Sequence, residues 1–411
     1  MSVTEFLANP LRHSGDWLVD WLVHIGFSNL VAELVMHSVA GFVVALVPLV
    51  AVVFLIWEAR KVIARMQDRL GPNNSGTYAG PYALLQTIAD AIKIFTKELI
   101  IPAGADRSVF IAAPILVVAV AISMWAVIPF GPDGLQFVDL EISAFYVVAI
   151  SSLAPFSMIM GGWSSRNKYG DVGAFRAVSQ IIGYEIPQIL ALFIVVMLTG
   201  SLSLQEIVKA QTVPFALTLP IPALIYFLAS TAEVGRLPFE LAEADSEIVA
   251  GYFTEYSGMM FGSFYLAEFI NNFTASIVFS TLFLGGWRGP WVSSVPILGP
   301  FWLLLKAFVV FNVFMLFWAA MPRLRIDQVL AFNWKFMVPW GIVMMMAIAL
   351  VDKVASQIGL VGDWERFGVL LGTNVAIAVI TYPFLRLAKN HYGRSLRSPR
   401  SLSVHRPQER S

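Results

Sequence analysis

The chain has 411 residues, of which 58% are apolar and 13% charged, with a formal net charge of zero and no cysteine. A soluble domain carries roughly 45–50% apolar and about 25% charged residues, so this composition and a mean hydropathy of +0.73 exclude a water-solvated globule and point to a chain solvated by lipid. The missing cysteines exclude disulfides and thiolate-held iron–sulfur clusters, and a neutral total charge says nothing about partners.

From the N-terminus, Met-Ser-Val-Thr-Glu-Phe lacks a basic region and a cleavage pattern, so no removable signal peptide is expected. Residues 1–37 form an N-terminal extension in which Trp17, Leu18, Trp21, Leu22, Ile25 and Leu30 alternate with Asp16, Asp20, His24 and Glu33. This mixture predicts a surface helix lying on the membrane or against a partner. Crossing a hydrocarbon core of about 30 Å takes about 20 mostly apolar residues. Nine segments are read as spans, the fifth and eighth short or polar-ended: about 39–57, 109–129, 140–161, 177–199, 217–232, 258–284, 301–321, 337–351 and 367–386. Prolines at 114, 155, 187 and 222 interrupt apolar runs, which membrane helices tolerate because neighbours re-satisfy the freed carbonyls.

Between the first two spans, Leu85, Ile88, Ile92, Phe95 and Leu99 recur at helical spacing, with Asp90, Lys93, Lys97 and Glu98 largely on the other side. That is an amphipathic helix in the plane of the interface; a surface helix of a soluble loop is the alternative. The predicted fold is therefore all-α, a polytopic membrane helix bundle of about nine transmembrane helices plus an amphipathic interfacial helix. Its expected divisions are the extension 1–37, a core over 38–351, an extra C-terminal span over 352–387 and a basic tail over 388–411.

Basic residues set the orientation. The loop after the first span holds Arg60, Lys61, Arg65, Arg69, Lys93, Lys97 and Arg107; alternate loops add Arg166, Lys168, Arg176, Arg236, Arg323, Arg325 and Lys335. The opposite loops hold Lys209, Arg288, Lys353 and Arg366. The first large loop, the 233–257 loop and the tail therefore face the cytoplasm. The tail reads as a solvated segment held by anionic headgroups.

Ionisable groups at membrane depth are costly and mark function by default. Glu185 and Glu268 lie inside spans without a basic neighbour in sequence; Glu58 and Lys306 have a structural ion pair or an interfacial position as equal alternatives. In the 233–257 loop, Pro238 opens a candidate helix on which Glu240, Glu243 and Glu247 share a face beside Asp245, with Glu255 beyond. The helix dipole accounts for Glu240 and Glu243, and a solvated acidic loop is the plainer alternative. Carboxylates packed this closely raise one another's proton affinity, as a proton pathway requires. The five histidines lie near the ends of the chain, so no haem and no metal centre is expected.

Ala232-Glu233-Val-Gly-Arg236-Leu-Pro238-Phe239-Glu240-Leu-Ala-Glu243-Ala-Asp245 resembles the Glu-Thr-Asn-Arg-x-Pro-Phe-Asp-Leu-x-Glu signature of the H-subunit family of complex I, the counterpart of mitochondrial subunit 1. Collinear matches include Arg65-Met-Gln-Asp-Arg69-Leu-Gly-Pro-Asn73, Gly80-Pro-Tyr-Ala-Leu-Leu-Gln86, Gly162-Trp-Ser-Ser-Arg-Asn-Lys168, Tyr184-Glu185, Ala267-Glu268, Leu284-Gly-Gly-Trp287 and Pro322-Arg323-Leu-Arg325-Ile-Asp327-Gln328. There are departures. Glu58 precedes Ala59-Arg60-Lys61 where the family has Glu-Arg-Lys, Val234-Gly235 replaces Thr-Asn, and the 73–80 turn is longer than usual. Trp318 stands where a basic residue is common before Pro-Arg.

The resemblance implies a proton-pumping NADH:quinone oxidoreductase of the respiratory chain, in which this membrane subunit forms a quinone-binding chamber with peripheral subunits and couples quinone reduction to proton translocation. It implies Arg60, Arg65, Ala89, Asp90, Phe95, Arg236 and Phe239 at the chamber and its mouth. Glu185, Glu233, Glu240, Glu243, Asp245, Glu247, Glu255 and Glu268 would be the proton-coupling carboxylates. Quinone is then a substrate; NADH, flavin and iron–sulfur clusters belong to partner subunits. Expected partners are other membrane and peripheral complex I subunits, lipid and quinone, with no nucleic acid, in the cell inner (plasma) membrane. The alternatives are the matching subunit of a related hydrogenase or other quinone-linked dehydrogenase, and a stand-alone secondary transporter. The transporter ranks lower because the halves carry no corresponding motifs. A purely structural anchor would not need Glu185 or Glu268.

Overall fold

The computed structural model describes residues 10–73, 81–132, 135–359 and 362–397, without the side chains of 10–13, 81, 245, 246, 363, 382 and 384–397. The expectations for the signal-free start, the long 73–80 turn and the far tail lie wholly or mostly outside these residues. Helices account for the regular structure among them, the form in which an apolar segment satisfies its own N–H and C=O groups where lipid offers no partner. In order they are α1 (Pro10–His24), α2 (Asn29–Met66), α3 (Gln86–Thr96), α4 (Arg107–Ser123), α5 (Ser143–Ser151), α6 (Ala154–Ser164), α7 (Lys168–Thr199) and α8 (Leu204–Ala210). They continue with α9 (Phe215–Thr218), α10 (Pro220–Glu233), α11 (Asp245–Ile248), α12 (Gly258–Phe283), α13 (Leu298–Ala320), α14 (Ile326–Phe332), α15 (Val338–Ile358) and α16 (Asp363–Arg397).

Among the described residues, seven helical stretches are long and apolar enough to cross a membrane: Asn29–Met66, Arg107–Val127, Ser143–Ser164, Lys168–Thr199, Gly258–Phe283, Leu298–Ala320 and Ile326–Ile358. Two further expected spans fall on helices outside that set. The segment 217–232 lies on α9 and on α10, which is 14 residues long, and 367–386 lies within α16. The chain is an all-α polytopic membrane bundle.

α12 is its axis: 78% of its most apolar stretch is buried, against 44% or less for the other six. On one side Leu192, Ile225, Phe283 and Phe314 anchor a core shared by α7, α10, the second half of α12 and α13. On the other, Leu55, Phe110, Phe269 and Phe311 join α2, α4, the first half of α12 and α13. α3 leans on both α2 and α12. Its apolar stripe is turned outward, with Leu85, Ile88, Ile92, Phe95 and Leu99 all exposed, while Asp90 turns in to Arg60 at 2.6 Å. A helix bathed in water shows the reverse arrangement, so the exposed stripe suits an interfacial setting.

Three elements depart from a simple reading of hydropathy. The first span begins at Asn29 rather than near 39, and α1 packs back along it. The single span expected over 140–161 is two helices, α5 and α6, parted at Ser152-Leu153 just before Pro155. The last turn before α15 is π-helical over Asn333–Met337, where the buried Asn333 amide donates to the Gly183 carbonyl at 2.6 Å; such bulges mark an inserted residue and often a functional site.

Lys306, left open between function and structure by its sequence, is structural. Its ammonium donates to the carbonyls of Leu284, Gly286 and Arg288 at 2.8, 2.9 and 2.6 Å, tying the turn after α12 to α13. Losing this donor leaves three acceptors unmet, each worth on the order of 1–3 kcal/mol when buried. Lys306→Met should lower the thermal midpoint of the assembled protein by several degrees while Lys306→Arg loses less; equal midpoints for Lys306→Met and wild type would show that water replaces the ammonium.

Candidate functional site

The 234–257 loop does not fold as the single helix that Pro238 and the carboxylate spacing suggest. Phe239 and Leu241 are both buried, a spacing of two that belongs to extended chain rather than to a helix face. The Pro238 carbonyl accepts from the Leu324 N–H at 3.1 Å. Helix forms only as two short pieces, α11 and a 3-10 turn over Gly251–Phe253, parted by a turn through Val249 (φ 65). The carboxylates therefore fan out to separate partners instead of sharing a face.

Arg236 heads the loop. It is 2% exposed, and its Nη1 meets Glu268 Oε1 at 2.9 Å. Its guanidinium lies over the rings of Phe269 (4.8 Å to the centroid) and Trp318 (4.2 Å). Glu243 comes from the loop to stand beside Glu268, so two carboxyl groups and one guanidinium share the site. Burial first, and the neighbouring Glu268 charge second, push the Glu243 carboxyl well above the ordinary carboxylate range, against the pull of Arg236. Burial and the same two carboxylates hold the Tyr252 phenol protonated.

The carboxyl groups and Tyr252 face a cavity of about 90 Å³ between the two cores. Glu233, Glu243 and Glu268 line it, together with Ser151, Gln180, Gln188, Tyr226, Tyr252, Asn271 and Thr274 and apolar side chains from α4, α5, α7 and α12. Glu233, at the end of α10, stands beside Gln188 and Ser151 and lies close to Glu185. Ser152 donates to Glu185. The break between α5 and α6 thus turns two serines toward carboxylates, and irregular backbone at membrane depth is tolerated where it borders such a cavity. Acids and neutral hydroxyl and amide groups that alternate at hydrogen-bond range can hold and pass protons.

The expected site residues divide by place. Glu233, Glu243 and Glu268 are brought together on the cavity, with Glu185 behind Glu233 and Arg236 behind Glu268. Glu240 turns to Arg323 at 2.5 Å. Glu247 is exposed and pairs with Arg176 at 2.5 Å, and Glu255 accepts from Asn167 at 2.6 Å, so both stand on the outer side of the loop. The side chain of Asp245 lies outside the described ones. Of the chamber residues, Arg60 and Asp90 pair where α2 meets α3, Ala89 and Phe95 are exposed on α3, and Arg65 is exposed at the end of α2. Phe239 packs on Tyr184 with centroids 5.1 Å apart, away from the cavity.

Sequence reasoning missed Ser151, Gln188, Tyr226 and Tyr252. The one available signal was the Ser151-Ser152 pair ahead of Pro155 inside an apolar run. Glu58 is buried beside Asn312 on α13 rather than paired with Arg60 or Lys61 nearby.

The sequence matches the family model described as NADH dehydrogenase over residues 39–349. The NADH-quinone oxidoreductase H subunit of Dehalococcoides mccartyi (strain CBDB1) is 47% identical over 337 residues, 82% of this chain and 89% of its own. The corresponding protein of Rhodospirillum centenum is 44% identical over 74% of this chain and 90% of its own, and that of Cupriavidus metallidurans 37% identical over 82% and 98%.

Since the folded protein holds the Glu243 proton more tightly than the unfolded chain does, the stability tied to that proton is complete below about pH 4.3. It is lost as pH rises toward the raised folded value. Glu243→Gln keeps the neutral form at every pH. Its thermal midpoint should match wild type near pH 5 and exceed it increasingly up to pH 8; a constant offset across that range would mean the carboxyl is already ionised in the fold.

Proposed function

The chain belongs to the NADH dehydrogenase family, among the H subunits of NADH-quinone oxidoreductase, and on that premise we propose that its cavity carboxylates couple quinone reduction to proton translocation in complex I. The protein is a membrane subunit of that multi-subunit oxidoreductase. The single observation that carries the coupling role is the meeting of Glu233, Glu243 and Glu268 on one cavity inside a lipid-solvated bundle. Isolated acids at such depth are expensive to keep, and three that share a cavity, with one buried guanidinium behind Glu268, exchange charge with each other more readily than with water.

In this reading Arg60, Arg65, Ala89, Asp90 and Phe95 frame the mouth through which a quinone enters from the bilayer, with Arg236 and Phe239 deeper. The outward apolar stripe of α3 gives the mouth a lipid-level rim. Glu185, Glu240, Asp245, Glu247 and Glu255 extend the acidic set from the cavity toward the loop surface, where peripheral subunits bearing flavin and iron–sulfur clusters deliver electrons from NADH. The basic loops and the 233–257 loop face the cytoplasm across the cell membrane, as the Lys and Arg asymmetry supports.

Assembled complex carrying Glu233→Gln or Glu268→Gln is expected to form normally but to lose proton pumping. Its inhibitor-sensitive NADH:quinone turnover should fall about a hundredfold, the lower end of what a proton-transfer group supplies. Asp90→Asn should instead raise the KM for quinone with little change in kcat. Intact pumping in both glutamine variants and in Glu185→Gln would sink the proposal.

A further inference from the structure

Arg236 carries five N–H donors, yet among the described residues only Nη1 finds an acceptor, Glu268; Nε and Nη2 are buried without one. Hydrogen bonds therefore fix the guanidinium at one corner. What holds the rest is the ring pair, Phe269 on one helix and Trp318 on another. Phe269 adjoins Glu268 on α12, so the two move as a unit. Trp318, in the last turn of α13, is the element that presses the guanidinium against that unit from across the helix interface. A basic side chain at this position would repel Arg236; an indole face attracts it.

We propose that Trp318 is a positioning residue: its indole clamps the Arg236 guanidinium onto Glu268 and so fixes the positive charge that the Glu268–Glu243 carboxyl pair feels. The groups around this pair are Arg236, Glu240 and Tyr252 from the loop, Tyr265 on α12 and, acting on Tyr265, Arg60 on α2; Arg323, on the segment after α13, offsets Glu240. With Arg323 engaged by Glu240 and Arg60 by Asp90, the positive charge left to the pair is that of Arg236. If the indole is lost, the guanidinium is free to swing toward unpaired polar space, and Glu243 keeps its proton to higher pH.

The inference rests on the cavity carboxylates taking part in coupling, and the test separates the two. Trp318→Leu, Trp318→Phe, Glu268→Gln and the Trp318→Leu/Glu268→Gln double variant would be made in the assembled complex, with the pH profile of NADH:quinone turnover and the thermal midpoint recorded for each. The expected result is an upward displacement of the profile by about one pH unit in Trp318→Leu, the low end of the effect of an opposite charge. Trp318→Phe, which keeps a π face, should restore the wild-type profile, and the displacement should vanish on the Glu268→Gln background. A profile unmoved by Trp318→Leu, or moved equally by Trp318→Phe, overturns the clamp. Should Glu268→Gln alone leave turnover and pumping unchanged, the coupling role fails. The midpoints then decide: loss of stability from Trp318→Leu that shrinks when Glu268 is neutral upholds the clamp, and strictly additive losses overturn it.

Discussion

A guanidinium with 2% of its residue surface exposed, in a bundle solvated by lipid, has to be compensated where it stands. Arg236 is compensated by one carboxylate and two aromatic faces, and these come from two different helices: Glu268 and Phe269 from the axial helix α12, Trp318 from α13. This arrangement draws the start of the acidic loop into the bundle. With Arg236 inside, Phe239 and Leu241 follow it into contact with Tyr184, Ala229 and Val329, and Glu243 is carried to the cavity wall beside Glu268. The loop is acidic at its surface and apolar at its root for the same reason: the root is a plug, held by a charge pair.

Three interruptions break the helices of the bundle, and the one between α5 and α6 borders the cavity above that plug. α5 stops at Ser151 and α6 resumes at Ala154, α9 and α10 meet at Leu219, and the chain between α14 and α15 makes a π turn. Each break frees carbonyls and amides that hydrocarbon cannot satisfy. Gln180 donates to the Ala232 carbonyl at 2.6 Å, and Asn333 to that of Gly183 at 2.6 Å, so buried amide side chains bridge elements where backbone ladders cannot. The polar lining of the cavity and the bridging amides are thus one requirement met twice, first by the protein's own groups and then by space for groups that exchange protons.

Hydropathy made the bundle legible because lipid imposes a length and a composition on each crossing segment. Periodicity made α3 legible because its stripe is long enough to outweigh noise. Neither could find the path of the 239–241 segment, where apolar spacing of two among closely spaced acids was masked by a strong helical spacing of Glu240, Glu243 and Glu247. Lys306 was illegible for a different reason. Its partners are backbone carbonyls about twenty positions earlier, and carbonyls leave no trace in a sequence. Arg236 stood out in the motif, but its aromatic clamp comes from Trp318, more than eighty positions later, and only the departure from a basic residue there hinted at a changed environment.

α12 links the two ends of the site. Its first turn meets the interfacial segment directly: the Ile100 N–H donates to the Ser257 hydroxyl at 3.0 Å, and Gly262 faces Ile94 so closely that a Cβ would come within 2.7 Å of a methyl carbon. From Gly258 to Glu268 the helix rises roughly 15 Å, and at its far end Lys306 fastens the following turn to α13. The unbroken α-helix from Gly258 to Phe283 joins its less buried start to the close-packed half beyond Glu268, where interiors have little slack. Contact made at the mouth is therefore made on the same helix that carries Glu268 against Arg236. A displacement there either is absorbed at the α3 contact or reaches the charge pair.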